Sequence, residues 1–212
     1  KEQAKLRRKE LLMTFGNMVD YAQDQGVRAI LIAGDLFDKA RITVSTREFV
    51  LDRIRTHSTI DFYYIRGNHD MAWLQTLEEE HTLPDNLYLF GEDWKTYVYE
   101  NEQITITGAQ LNENNQNRLY QTLMPEPSMT NIVMLHGQEA DYVGKDQTQI
   151  IRLKELRGRS IDYLALGHIH TYKAEILDQR GIYCYSGCLE GRGFDECGEK
   201  GFVLLEIENH QV

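Results

Sequence analysis

Apolar residues along the chain fall into two periodicities, and the places where one gives way to the other outline the fold. Leu11, Leu12, Phe15, Met18, Val19 and Ala22 recur at three- and four-residue intervals and predict an amphipathic helix that Gly26 stops. The segment from Arg28 to Ala33 is the first predicted strand. Phe49, Val50 and Ile54 predict an inward helix face over residues 44–55, and a second strand leads through Tyr63-Tyr64-Ile65. A short helix and a surface loop are expected over 71–86. From Leu87 to Ala109 the alternation predicts antiparallel hairpins, with strands at 87–90, 96–99 and 104–107. A helical turn is expected over 118–123, a strand over 131–135, a helix through Ile150, Ile151, Leu153 and Leu156 closed by Gly158, and a strand over 162–166. The C-terminal part reads as antiparallel strands near 172–178, 181–186 and 201–207. Strand–helix alternation followed by hairpins in each half predicts an α/β chain built as two sheets flanked by helices. No fixed-period repeat, low-complexity tract or linker divides residues 1–212, so a single domain is expected.

Four of the strand-like runs end alike, in a glycine-bearing loop that carries metal-ligating residue types. They are Ile30-Leu31-Ile32-Ala33 before Gly34-Asp35, Tyr63-Tyr64-Ile65-Arg66 before Gly67-Asn68-His69-Asp70, Ile132-Val133-Met134-Leu135 before His136-Gly137, and Tyr163-Leu164-Ala165-Leu166 before Gly167-His168-Ile169-His170. Near-continuous apolar runs read as buried parallel strands, and ligands collect at the carboxyl ends of such strands. One histidine in such a loop would be read as structural; four of the seven, together with Asp35 and Asn68, point to a dinuclear metal centre. Asp35 has two oxygens with which to bridge two ions, and Asn68 offers a neutral amide oxygen. His168 and His170, two apart in an extended segment, would face the same side and serve neighbouring ions. Such nitrogen and oxygen donors suit Mn²⁺, Fe²⁺ or Zn²⁺. His69 is expected to face a substrate, with Asp70 orienting and charging its ring, so that it stabilises phosphate charge or protonates a leaving oxygen. Asp38 either contacts the site or caps the next segment. His57, His81 and His210 read as surface residues, and Trp73 as a core or interface anchor.

Composition narrows this reading only modestly. The 212 residues are 42% hydrophobic and 26% charged, ordinary for a globular protein, with no apolar run near the roughly 18 residues that span a bilayer. Cys184, Cys188 and Cys197 make an odd set without a second closely spaced pair, which argues against a structural zinc site and for a reducing compartment. A cytoplasmic location, without a membrane, is therefore expected. A net charge of −10 argues against unaided grip on nucleic acid by a broad basic face. Two bound divalent cations, four positive charges, would leave −6 and put the positive field where a phosphate must sit.

The series Gly34-Asp35-x-x-Asp38, Gly67-Asn68-His69-Asp70, His136-Gly137 and Gly167-His168-x-His170 resembles the motif series of calcineurin-like metallophosphoesterases. The forms Ile32-Ala33-Gly34-Asp35-Leu36-Phe37-Asp38 and Leu135-His136-Gly137-Gln138, with the segment from Tyr185 to Glu196, are similar to SbcD-type DNA-repair exonucleases, particularly a YhaO-like branch. The resemblance implies a four-layer α/β/β/α sandwich. It also implies a site in which Asp35 bridges two ions, Asn68, His136 and His168 complete one of them, His170 belongs to the other, and His69 is the catalytic histidine. Mn²⁺ as the ion, DNA as substrate and an SbcC-type ATPase as partner follow from the same resemblance, which leaves a homodimer open. The family begins with a strand carrying Asp-x-His that nothing here matches, so that strand is expected to precede the residues given, and no separate capping domain is evident. Two other functions compete with a DNA nuclease: a phosphoesterase acting on small molecules or phosphoproteins, and a non-catalytic scaffold that binds a partner through 71–90.

Overall fold

A computed structural model of the chain describes residues 2–37, 42–67, 69–79, 82–140, 149–191, 196 and 198–212. Asp38, Asn68 and His81 lie outside the described residues.

Helix α1 (Glu2–Asp24) ends just before Gly26, whose φ of 68° lets the chain turn back into β1 (Ala29–Ile32). Helix α2 (Val44–Thr56) starts where the Thr43 hydroxyl accepts from the Thr46 N–H at 3.3 Å. It is followed by β2 (Asp61–Tyr64), α3 (Met71–Glu79), β3 (Leu87–Leu89), β4 (Lys95–Tyr99), β5 (Ile104–Gly108) and α4 (Gln116–Thr122). The remaining elements are β6 (Thr130–His136), β7 (Gln138–Glu139), β8 (Ile150–Ile151), α5 (Leu153–Leu156), β9 (Tyr163–Gly167), β10 (Lys173–Ile176) and β11 (Ile182–Tyr185).

Strands β1, β2 and β3 form one parallel sheet in that order. A second sheet runs β10-β11-β9-β6-β5-β4, parallel through its centre and closed at each edge by an antiparallel strand. Period-2 alternation divides the apolar residues among three interfaces. Phe62 and Tyr64 of β2 point to the side of α1 and α2, where they pack with Phe15, Val19, Val50 and Ile54. Tyr63 and the following Ile65 point the other way, onto Ile132 and Met134 of β6 and Tyr163 and Ala165 of β9, so the two sheets share a core. Val133, Leu135, Leu164 and Leu166 occupy the far face of the second sheet, against Leu119 of α4 and Leu156 of α5. Three cores between four layers make the expected α/β/β/α sandwich. They also explain why the strand runs are apolar at nearly every position: both faces are buried.

Several local expectations are corrected. Residues 87–90 do not open a hairpin; β3 joins β2 in the parallel sheet, and of the three strands expected over 87–107 the second and third, β4 and β5, pair antiparallel. The apolar spacing from Ile150 to Leu156 is split, with Ile150 and Ile151 pairing with Gln138 and Glu139 before the single turn of α5. Residues 201–207 alternate between half-buried and exposed and place Val203, Leu205 and Ile207 on the core between the sheets, yet they form no ladder among the described residues. His57 is not a surface residue. It is buried at the end of α2, where its Nδ1 meets the Arg53 carbonyl at 2.7 Å and its Nε2 meets Asp20 Oδ1 at 3.1 Å. Trp73 is a core anchor, packed edge-on against Phe37 at 5.2 Å.

Candidate metal centre

The tips of β1 and β2 from one sheet and of β6 and β9 from the other meet at one end of the sandwich. The approach is so close that glycine is needed at the crossings. A Cβ on Gly167 would stand 1.8 Å from the Ala33 carbonyl oxygen, one on Gly34 2.3 Å from His136 Nδ1, and one on Gly67 2.1 Å from Asp35 Oδ1. Two of the candidate residues also take backbone conformations that L-residues seldom adopt: φ is 53° at Asp35 and 101° at His168. Strain of this kind costs on the order of 1–3 kcal/mol per residue and clusters at functional sites. It also means that residues 168–170 are not the simple extended segment expected from their spacing.

Asp35, His136 and His168 converge, with one ligand atom from each lying within 4.8 Å of the others. Bonds of about 2.1 Å to a common ion place donors about 3–4 Å apart, so small side-chain adjustments would bring the trio onto one divalent cation. The two imidazoles meet edge to face at 5.4 Å. His136 is 1% exposed, and its Nδ1 lies 2.7 Å from the Ala33 carbonyl. A carbonyl only accepts, so Nδ1 donates to it and Nε2 is the nitrogen turned toward Asp35. That Nε2 stands 3.3 Å from Asp35 Oδ2. A cation between the two, a proton or a metal ion, stabilises this contact. Burial pushes the Asp35 carboxyl up, but the bond and charge of His136, with the His69 N–H and ring charge, bring it below the ordinary value. An ionised carboxylate is the form that binds a metal.

Asp70 makes contacts that its place beside His69 does not suggest. Its Oδ2 accepts the Asp35 N–H at 2.6 Å and the Gly67 N–H at 2.9 Å, while Oδ1 lies 3.5 Å from Trp73 Nε1. These bonds turn the carboxylate into the protein, fully buried, and its bonds to the described residues do not include the His69 ring. Asp70 therefore braces the Gly34 loop against the Gly67 loop. Burial and the nearby Asp35 charge raise its carboxyl above the ordinary value, although the Gly67 and Asp35 N–H groups and the Tyr64 hydroxyl pull it down. His69 stays beside the centre, its backbone N–H donating to Asp35 Oδ1 at 3.0 Å. His170 lies outside the tight trio and is bound through Nδ1 to Glu196 Oε1 at 2.7 Å. Sequence reasoning singles out Glu196 only as part of a motif, because a contact spanning 26 residues leaves no local signal.

The family model described as calcineurin-like phosphoesterase matches residues 9–172. The chain belongs to the calcineurin-like phosphoesterase family. The chain is 31% identical over 208 residues to the uncharacterized metallophosphoesterase YhaO of Bacillus subtilis, covering 92% of this chain and 49% of that protein. It is also 31% identical over 232 residues to the DNA double-strand break repair protein Mre11 of Sulfurisphaera tokodaii, covering 95% of this chain and 54% of the relative. The Mre11 protein of Sulfolobus acidocaldarius is 26% identical over 222 residues, with 95% and 55% covered. The chain thus spans about half the length of the curated relatives it matches. The crystal structure of TT1561 of Thermus thermophilus shares the fold, with a TM-score of 0.55 at 13% identity over 84% of this chain and 83% of that one. Among the described residues no helix is long and apolar enough to cross a membrane.

Proposed function

We propose that residues 1–212 act as one catalytic domain, a metal-dependent phosphodiesterase that hydrolyses DNA. The observation that carries this reading is the convergence of Asp35, His136 and His168 at the tips of strands from both sheets, in a chain 31% identical to a DNA double-strand break repair protein. In this reading Asp35 bridges two cations, Asn68, His136 and His168 complete the first site, and His170 serves the second. Bound divalent cations would polarise a phosphoryl oxygen and lower the pKa of a water. Mn²⁺ is favoured, and the same donors accept Fe²⁺ or Zn²⁺.

The chain's own residues do the rest. His136 holds its ring through the Ala33 carbonyl, so Nε2 points at the ion site without conformational search. Asp70 keeps the Asp35 and Gly67 loops in register. His69 faces the phosphate and gives a proton to the leaving oxygen. An SbcC-type ATPase partner and a cytoplasmic location belong to the same reading; the free thiols of Cys184 and Cys188 agree with a reducing compartment.

The test is protein loaded with Mn²⁺ and assayed side by side on linear DNA and on bis-p-nitrophenyl phosphate. DNA degradation that weakens steeply with salt supports the nuclease. Hydrolysis of the small diester alone, indifferent to salt, replaces it with a small-molecule phosphodiesterase. Failure to turn over either substrate, or to bind metal, replaces it with a scaffold.

A further inference from the structure

The loop that carries His168 and His170 is gripped by a segment distant in sequence. Because a carboxylate only accepts, the 2.7 Å contact between Glu196 Oε1 and His170 Nδ1 assigns the ring proton to Nδ1 and leaves the lone pair on Nε2. The same segment holds the main chain of His170: Lys200 Nζ donates to its carbonyl at 3.3 Å, and the Cys188 thiol reaches that oxygen at 3.5 Å. Gly187, with φ of 74°, lies so close beneath the loop that a Cβ would stand 3.0 Å from the Tyr172 nitrogen. On its other side the segment is tied to α1. Glu190 accepts from Arg7 and, at 2.8 Å, from the Thr14 hydroxyl, and Arg7 also donates to the Gly191 carbonyl.

We infer that Glu196 is the positioning residue for His170: it selects the ring tautomer and aims Nε2 at the second ion. The inference rests on the dinuclear reading above. Its physical need is visible in the contrast with His136. The His136 side chain is 1% exposed and is held by packing as well as by a carbonyl, whereas the His170 side chain is 40% exposed and has far less packing to fix it. Glu196, 13% exposed, is shielded enough for its bond to survive competition with water. A carboxylate behind a ligating imidazole orients the ring and makes the ligating nitrogen more basic; loss of such a partner commonly costs about 10–100-fold in metal affinity.

The test combines two measurements on wild-type protein, Glu196→Ala, Glu196→Gln and the exposed control Glu199→Gln. Long-range proton–nitrogen correlation at pH 8, on metal-free protein, reads the His170 tautomer, assigned by loss of its signals in His170→Asn. Mn²⁺ titration reads the number and affinity of sites. The expected result is a dominant Nδ1–H tautomer in wild type and Glu199→Gln and a redistributed one in Glu196→Ala. One of the two Mn²⁺ sites should loosen about 10–100-fold in Glu196→Ala, while the other changes less than about threefold. An unchanged tautomer, two unchanged sites, or equal loss at both sites overturns the assignment. A wild type that saturates at one Mn²⁺ overturns it through the dinuclear reading instead, which the titration distinguishes from a failure of Glu196 alone. Should Glu196→Ala fail to fold, the near-isosteric Glu196→Gln carries both readouts.

Discussion

Gly34 shows how little room the centre leaves at the scale of single residues. Its φ is 91°, and an added Cβ would stand 2.3 Å from His136 Nδ1. Gly34→Ala should therefore cost about 2 kcal/mol or more, read as a lowered denaturation midpoint, and weaken metal binding as well, because the ring it displaces is one of the proposed ligands. His69→Ala separates chemistry from binding. Hydrolysis should fall about 10²–10⁴-fold while the metal content, measured by elemental analysis, stays at the wild-type value. Metal lost in proportion to activity would return His69 to a structural role. Much of this residue-level picture is legible in sequence, since a strand, a glycine and a ligand form a contiguous signal. The contacts of Asp70 are not legible, because sequence adjacency to His69 says nothing about a carboxylate that turns inward to two backbone N–H groups.

Between elements, single polar side chains fix what apolar packing leaves free. The Asn86 side-chain amide, buried, lies 2.8 Å from the Ile54 carbonyl, 3.2 Å from that of His57 and 2.9 Å from that of Ile60, joining the end of α2 to the start of β3. Asn86→Ala should destabilise by about 1–3 kcal/mol, with the loss confined to the sheet of β1–β3 in hydrogen exchange. Asp178 closes the turn from β10 to β11 by accepting from the N–H groups of Gly158, Arg180 and Gly181, at 2.7, 2.8 and 3.2 Å. Burial pushes its carboxyl up, but these three donors and the Arg180 charge bring it below the ordinary 3.8. A depressed carboxyl contributes stability above its unfolded value and loses it as pH falls through the folded one. The stability gap between wild type and Asp178→Ala should thus be full at pH 6 and shrink below about pH 4, as urea midpoints across pH would show. Helices are legible from periodicity, and α2 lies within a residue of expectation. The partner of a strand is not: alternation in 87–90 looks the same whether the neighbour is β2 or β4, and alternation in 201–207 reports a buried face rather than a ladder.

For the whole molecule, the arrangement of layers makes the candidate metal centre a joint between sheets. Asp35 and the Gly67 loop come from one sheet and His136 and His168 from the other, so a bound ion stabilises the folded form by mass action. At a free Mn²⁺ concentration about a hundred times the dissociation constant the gain is about 2.7 kcal/mol. Thermal melts should shift upward with Mn²⁺ and return on chelation, and the shift should vanish in His136→Asn. The four-layer architecture is legible because buried parallel strands declare themselves by unbroken apolar runs. Which loops face one another across the two sheets is legible only through the repeated glycine-ligand pattern.

The crossing of Gly167 over the Ala33 carbonyl has a kinetic meaning. The His136 ring is fastened to that same carbonyl across the joint, and the amide hydrogens of Asp35 and His69 are held within it. Exchange of an ion at the proposed centre and deuterium uptake at these amides should then share one gate, the momentary parting of the strand tips. The residence time of such an ion would become a property of the scaffold's breathing rather than of its coordination bonds alone.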